Sequence, residues 1–408
     1  MTACAIELTA EDGAVRRTEF AMTADGTYAA RLTLGRPRNG GDVGDDAGGD
    51  AWFPERWTLD GPEPYAVSLP LDQPEEPGTE VLPLADGRVL IRRRVADRHD
   101  FSLLYPTGPG TGQLPVGAIG CPELTLLPPS PDGRCVYALS PGEHSTAVWL
   151  VADGGRGPER VAEVPGRCSG GVWLDRTGRM LALDRERDGV VKAVVVDLER
   201  GGEVSPLLQI TEESNDRLLL ADADSGLLLI RSDAPGHDRL GWGVLGSPRP
   251  VRFPESLRQA DCAVTPFAVQ PGQALMPESC AVAFRIDGAA GSWVGVWRPM
   301  GRGLRQLPAP EGWLAGAGLW TREGVLRLPY ATAAVPCGLA SLVTDAPGPG
   351  AGFEPRSGGG PGSGSGVITE PARTESADTE PSGAPRTPVM CRPVPLQQAP
   401  LTGRAAPG

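Results

Sequence analysis

A short turn recurs along this chain of 408 residues, at an interval that restricts what the chain can fold into. A small polar or acidic residue followed by glycine stands at Asp25-Gly26, Asp86-Gly87, Asp132-Gly133, Thr177-Gly178, Ser225-Gly226 and Glu323-Gly324, each between two apolar runs. Successive glycines are 61, 46, 45, 48 and 98 residues apart, so the last interval is two periods and the first is one period carrying an insertion. A second signal is phased to the first. Sixteen residues after its turn glycine a unit has an apolar residue, at Leu103, Trp149, Val194, Trp242 and Ala340. Trp57 follows Gly26 by 31 residues and returns to the same phase once the acidic, glycine-rich stretch 35–50 is counted as an insertion. The sixth unit offers two turns, Pro271-Gly272 and Glu278-Ser279; the second fits better because Trp297 follows Ser279 by 18 residues.

Inside a unit the spacing is that of strands. The third unit reads 123–128, a turn at 131–133, 135–139, a loop around 142–145, then 147–151 and 160–164; the fourth repeats this with 171–174, 180–183, 192–196 and 204–210. Val, Leu, Tyr and Trp fill the segments while Asp-Gly and Pro-Gly punctuate them, the pattern of a four-stranded antiparallel meander. No window carries a sustained 3.6-residue apolar stripe, so almost no helix is expected. One meander cannot bury both of its faces, but several stacked around an axis can. A period of about 40 to 50 residues is that of a propeller blade. The expectation is therefore an all-β chain forming a single seven-bladed β-propeller of four-stranded antiparallel blades.

The blades are assigned to residues 1–343. The Gly-, Pro-, Ser- and Thr-rich segment 344–388 has almost no large apolar side chain and cannot offset its ordering entropy, so it is expected to be disordered. The apolar stretch 389–401 could return as the outer strand of the seventh blade, leaving 402–408 as a tail. A competing closure uses residues 3–8 at the other end of the chain.

Charge narrows the partner classes. Lys plus Arg is 38 against 51 for Asp plus Glu, a net charge of −13, which disfavours nucleic acid and an anionic membrane surface. The basic run Arg92-Arg93-Arg94 is too short to reverse that. Lys192 is the only lysine, which excludes most lysine chemistry, and Asn39 and Asn215 are the only asparagines. No basic stretch followed by an apolar run stands at the start, and no run approaches 18 apolar residues, so a cytoplasmic monomer with no membrane partner is expected. The eight cysteines, Cys4, Cys121, Cys135, Cys168, Cys262, Cys280, Cys337 and Cys391, include no C-x2-C pair and no Cys/His grouping of zinc spacing. They read as small core residues in a reducing compartment, with no metal and no cofactor implied.

The string Ser130-Pro131-Asp132-Gly133-Arg134, followed by an apolar strand and then Val148-Trp149-Leu150-Val151-Ala152-Asp153, resembles the repeat of TolB-type propellers and of the N-terminal propeller of prolyl oligopeptidase-family enzymes. The resemblance covers about residues 15–343, clearest in the third and fourth units. It implies a propeller of six or seven blades and no particular ligand. No α/β-hydrolase pattern follows the repeats, and the nucleophile elbow G-x-S-x-G is absent; Gly362-Ser363-Gly364-Ser365-Gly366 has glycine where the serine belongs. Peptidase activity is not carried over, and no catalytic residue is assigned.

The candidate ligand-binding residues are His99, Asp100, His144, His237 and Asp238. The three histidines, the only ones in the chain, stand 12, 11 and 11 residues after their turn glycines, in the connection between second and third strands of the second, third and fifth units. His99-Asp100 and His237-Asp238 pair an imidazole with a carboxylate, which can orient a base or a metal ligand. The plainer reading is a loop that accepts polar residues, since sevenfold geometry holds the fifth unit away from the second and third. The stretch 40–46 resembles a calcium-binding glycine-aspartate turn in a single broken copy and reads as a solvated loop. The tryptophans at the repeat position read as packing between blades. Two function classes follow: a non-catalytic binding or scaffold module for a protein or peptide partner, or an enzyme or enzyme subunit, either a hydrolase or lyase with a channel site or a propeller gating a separately encoded peptidase.

Overall fold

In the computed structural model the described residues are 20–35, 51–108, 110–153, 157–272, 275–301 and 303–344. The insertion 36–50, the segment 345–388 and both candidate closing strands, 389–401 and 3–8, lie outside them. Helix among the described residues is confined to three single 3₁₀ turns, and none of it is long and apolar enough to cross a membrane.

The strands form antiparallel meanders in sequence order. The first sheet holds β1 (Ala21–Met22), β2 (Tyr28–Gly35), β3 (Ala51–Thr58) and β4 (Tyr65–Ser68). The second holds β5 (Glu80–Pro83), β6 (Val89–Val95), β7 (Arg98–Pro106) and β8 (Thr111–Gly120). The third holds β9 (Thr125–Leu126), β10 (Val136–Pro141), β11 (Ser145–Ala152) and β12 (Glu159–Pro165). The next sheet contains two antiparallel groups. One is β13 (Arg167–Trp173), β14 (Met180–Arg187), β15 (Val190–Asp197) and β16 (Glu203–Leu208); the other is β17 (Asp216–Ala221), β18 (Leu227–Ser232) and β19 (Arg239–Val244). A single parallel pair, Lys192 with Asp216, joins them. A further sheet holds β20 (Ala263–Val269), β21 (Val282–Gly288), β22 (Gly291–Trp297) and β23 (Arg305–Leu307). The last is three-stranded: β24 (Leu319–Trp320), β25 (Val325–Tyr330) and β26 (Gly338–Val343).

The recurring turns join first to second strands. Gly26, Gly87, Gly133, Gly178, Gly226 and Gly324 have φ of 72°, 81°, 66°, 74°, 74° and 82°, a left-handed conformation that glycine adopts without the Cβ penalty. The aspartate before three of them folds back: Asp25, Asp86 and Asp132 each accept the backbone N–H two residues on through Oδ1, at 3.0 Å. Burial pushes these three carboxyls up, but the side-chain and backbone bonds they accept outweigh it and hold them below the usual range. The sixth unit turns instead through a 3₁₀ turn at Pro277–Ser279, where the Glu278-Ser279 alternative placed it.

Trp57, Trp149, Trp242 and Trp297 all lie on third strands, β3, β11, β19 and β22. Three are buried; Trp149 is only half-buried, at a point where β11 slips register against β12. Each apolar cluster spans two groups consecutive in sequence. Leu82, Leu90 and Phe101 meet Val136 and Val151, for instance, and Leu229 and Trp242 meet Phe284 and Trp297. One more cluster packs Ala29, Trp57 and Leu59 of the first sheet with Leu314, Ala331, Cys337 and Leu339 of the last. A Cβ on Gly26 would collide with Leu319 at the same boundary.

The boundary between β15 and β17 is polar as well as apolar. The sole lysine bonds the carbonyls of Thr211 and Ser214 at 2.5 Å each and pairs with Asp216 at 2.8 Å. Fully buried Asp216 also accepts from the Ser232 hydroxyl at 2.6 Å and from the Ile210 N–H at 2.9 Å. Every oxygen of that carboxylate is therefore met, as a buried charge requires.

Candidate functional site

The structure distributes the five candidate residues rather than gathering them. His99 was expected in a loop and is instead the second residue of β7. The connection between β6 and β7 is only two residues long, Val95 facing Arg98 across it, so the strand starts earlier than its counterparts. His99 is 1% exposed. Arg92, itself buried, is held by Glu80 at 2.6 Å and donates from Nη1 to His99 Nδ1 at 2.9 Å. A guanidinium cannot accept, so Nδ1 is the acceptor and the proton of the neutral ring sits on Nε2. Nε2 has no partner of sound hydrogen-bond geometry. Burial, then the Arg92 and Arg94 charges, lowers the His99 pKa; the Cys121 backbone and Asp100 oppose this weakly. Asp100, next along β7, is tied to Arg98 at 3.1 Å.

His144 lies in the connection between β10 and β11 with its side chain 87% exposed, 3.7 Å from Glu143. His237 and Asp238 lie in the connection between β18 and β19, both exposed. Among the described residues no group of three or more His, Cys, Asp or Glu is placed to hold a metal ion. The described cysteines are unpaired, and burial pushes the Cys168 thiol up to about 11 and that of Cys337 up to about 12, which keeps both protonated and unreactive.

Of the five, Asp238 lines a cleft. About 280 Å³ in volume, the cleft opens where the β17–β19 group meets the β20–β23 sheet. Leu240, Leu257 and Val264 supply an apolar floor. Arg231, Arg239 and Arg258 stand around it, from β18, β19 and the residue after the 3₁₀ turn Glu255–Leu257. Although Asp238 is exposed, partial desolvation beside the cleft wall raises its carboxyl pKa, with Arg231 pulling it down and Asp233 pushing it up. A second cleft of about 280 Å³, lined by Trp242, Arg252 and exposed Met276, lies toward the other end of β19, and one of about 300 Å³ lies between the second and third sheets beside Arg88, Arg134 and Asp153. The three arginines and the floor of the first cleft are spread over positions 231–264 with no motif spacing, so sequence reading passed over them.

Solved structures with a similar course of chain include TolB from Acinetobacter baumannii, 12% identical, matching over 79% of each chain with a TM-score of 0.41. They also include prolyl oligopeptidase B from Galerina marginata, 11% identical over 81% of this chain and 48% of that one, with a TM-score of 0.49. A prolyl endopeptidase is 11% identical over 80% of this chain and 48% of its own, with a TM-score of 0.50. The chain has a β-propeller fold. It spans about half the length of the prolyl oligopeptidase chains it matches. No family model matches the propeller sequence, and no curated protein matches it. At such identities the likeness is one of fold, and a propeller fold hosts many unrelated functions.

Proposed function

We propose that the chain is a seven-bladed propeller serving as a non-catalytic binding module for a protein or peptide partner, with the cleft beside Asp238 as its contact point. Seven blades are favoured by the split of the longest sheet into two antiparallel groups joined by one parallel pair, and by apolar clusters that link each group to the next and the last to the first. The observation that carries the binding reading is the cleft itself: neighbouring groups contribute an apolar floor and a polar rim to one concavity, as ligand sites do. The histidines support binding better than chemistry, since His99 is sealed in the core and His144 and His237 stand in separate exposed turns.

The test is a photo-crosslinking amino acid placed at Gln259, on the cleft wall, in the full chain expressed in its native cell. Covalent capture of one discrete protein or peptide at this position, and not from the same group placed at exposed Glu199, is expected. Equal labelling from both positions would refute the cleft as the contact.

A further inference from the structure

The cleft beside Asp238 combines an apolar floor with a concentration of positive charge that the rest of the chain does not predict. The whole sequence carries −13, yet three guanidiniums line this cleft against the single carboxylate of Asp238. Their pairing is uneven. Arg239 is engaged, bonding Glu255 at 2.8 Å and the Phe253 carbonyl at 3.2 Å. Arg231 is anchored by the Val264 carbonyl at 3.3 Å and lies 3.7 Å from Asp238, too far for a hydrogen bond. The exposed Arg258 side chain has no partner among the described residues. The cleft thus presents one guanidinium loosely paired and one unpaired, above Leu240, Leu257 and Val264, which are all nine-tenths buried.

From this arrangement we propose that the cleft captures the C-terminal residue of a peptide or protein chain, Arg231 and Arg258 binding its α-carboxylate while its apolar side chain rests on Leu240, Leu257 and Val264. This inference rests on the binding-module reading above. Arginine's planar fork matches a carboxylate, and capture of a terminal carboxylate is a recurring mode of peptide recognition. Size points the same way. At about 280 Å³ the cleft falls just below the roughly 300–1,000 Å³ of sites for drug-sized ligands, which suits one residue better than a cofactor. A bare phosphate would satisfy the arginines and leave the apolar floor wet, while a purely apolar ligand would leave the guanidiniums unanswered. A terminal apolar residue satisfies both. Asp238, Thr265 and the neutral Gln259, all lining the cleft, offer hydrogen-bonding groups to the peptide's last amides at the rim.

The probes are fluorescein-labelled hexapeptides ending in Leu, Val or Phe, each made with a free α-carboxylate and as the C-terminal amide, titrated into the full chain and read by fluorescence anisotropy. The free acids should bind, and the amides should bind about tenfold to a hundredfold more weakly, the range for a charge-assisted hydrogen bond. Arg258→Gln, at an exposed side chain, should weaken the acid to the level of the amide without changing the melting temperature. Arg231→Gln should do the same, and Arg200→Gln, on an exposed turn remote from the cleft, should leave binding unchanged. Equal affinity of acid and amide, no binding of any peptide at millimolar concentration, or equal binding of a peptide ending in Gly would each overturn the proposal. Displacement by inorganic phosphate as effective as by unlabelled peptide would mark a general anion site and overturn it too. Failure of this proposal is separable from failure of the binding module: crosslinking from Gln259 that persists undiminished in Arg258→Gln would leave the module standing without carboxylate capture.

Discussion

Asp184 offers a quantitative test of how the boundary between two β-groups is built. It lies on β14, 6% exposed, and accepts the Leu218 N–H at 3.0 Å where β17 slips register against β18. Arg217 is 3.6 Å away and only partly compensates. Burial pushes the Asp184 carboxyl from 3.8 up to about 6. The native state therefore holds a proton that the unfolded chain releases, so the stabilising contribution is complete below about pH 3.8 and is lost as pH rises through about 6. At about 1.36 kcal/mol per unit, the loss is about 3 kcal/mol in all, of which about 2 kcal/mol falls between about pH 4.5 and about pH 8. Asp184→Asn keeps an oxygen for the Leu218 N–H and removes the charge. Urea denaturation of both proteins at those two pH values should show the variant gaining about 2 kcal/mol on the wild type between the acidic and the alkaline measurement. Against a total stability of about 5 to 15 kcal/mol that is readily resolved. A variant destabilised by the same amount at both values would show that the Arg217 ion pair outweighs desolvation, and the reasoning would be wrong.

Replacing Trp57 or Trp297 with Ala should cost about 3 to 5 kcal/mol, and half-buried Trp149→Ala distinctly less; chemical denaturation that ranks Trp149 with the others would refute the burial order. Lys192→Met leaves the fully buried Asp216 without its cation and should cost about 3 to 5 kcal/mol, so a loss under about 1 kcal/mol would remove the lysine from any structural role. The His99 ring should stay neutral at pH 6.5, the contribution of its depressed pKa being lost as pH falls below that value through the folded pKa; an imidazole resonance titrating at or above 6.5 would contradict this. If residues 389–401 add a fourth strand to the three-stranded β24–β26 sheet, truncation after Pro388 should lower the melting temperature and removal of residues 1–9 should not, whereas the opposite pattern would assign closure to 3–8.

The architecture was legible because its strongest constraints are local. A left-handed glycine at each of six turns and an aspartate bonding two residues ahead both follow from neighbours in sequence. The third-strand Trp242 was legible for the same reason, since the interval from Gly226 is set by the turns and the strands they join. What escaped were effects of register. A slip between Val148 and Trp149 leaves Trp149 less buried than its equivalents, and a two-residue turn carries His99 from an expected loop into a strand and into the core. The cleft escaped altogether. Its arginines come from two strands and the end of a 3₁₀ turn, and only the packing of one group against the next brings them around Leu257.

Repetition also explains where the polar groups lie. Similar apolar faces repeated along a chain attract one another without direction, so the hydrophobic effect alone distinguishes poorly between a correct neighbour and a wrong one. Direction comes from bonds that only one partner can complete. Lys192 reaches the carbonyls of Thr211 and Ser214 and the carboxylate of Asp216, and Asp184 meets the Leu218 N–H that a register slip frees from the ladder. Both sit between β13–β16 and β17–β19, where a parallel pair already fuses the two groups into one sheet. At the next boundary, between β17–β19 and β20–β23, Arg231 bonds the Val264 carbonyl, but it stays 3.7 Å from Asp238, and the Arg258 side chain has no partner among the described residues. Buried polar groups that are fully met hold two elements together, while charged groups left loosely met at a concave boundary are free to meet something else. On the proposal made above, the same chemistry that fixes one boundary of the fold is, one group further on, what a terminal carboxylate would meet.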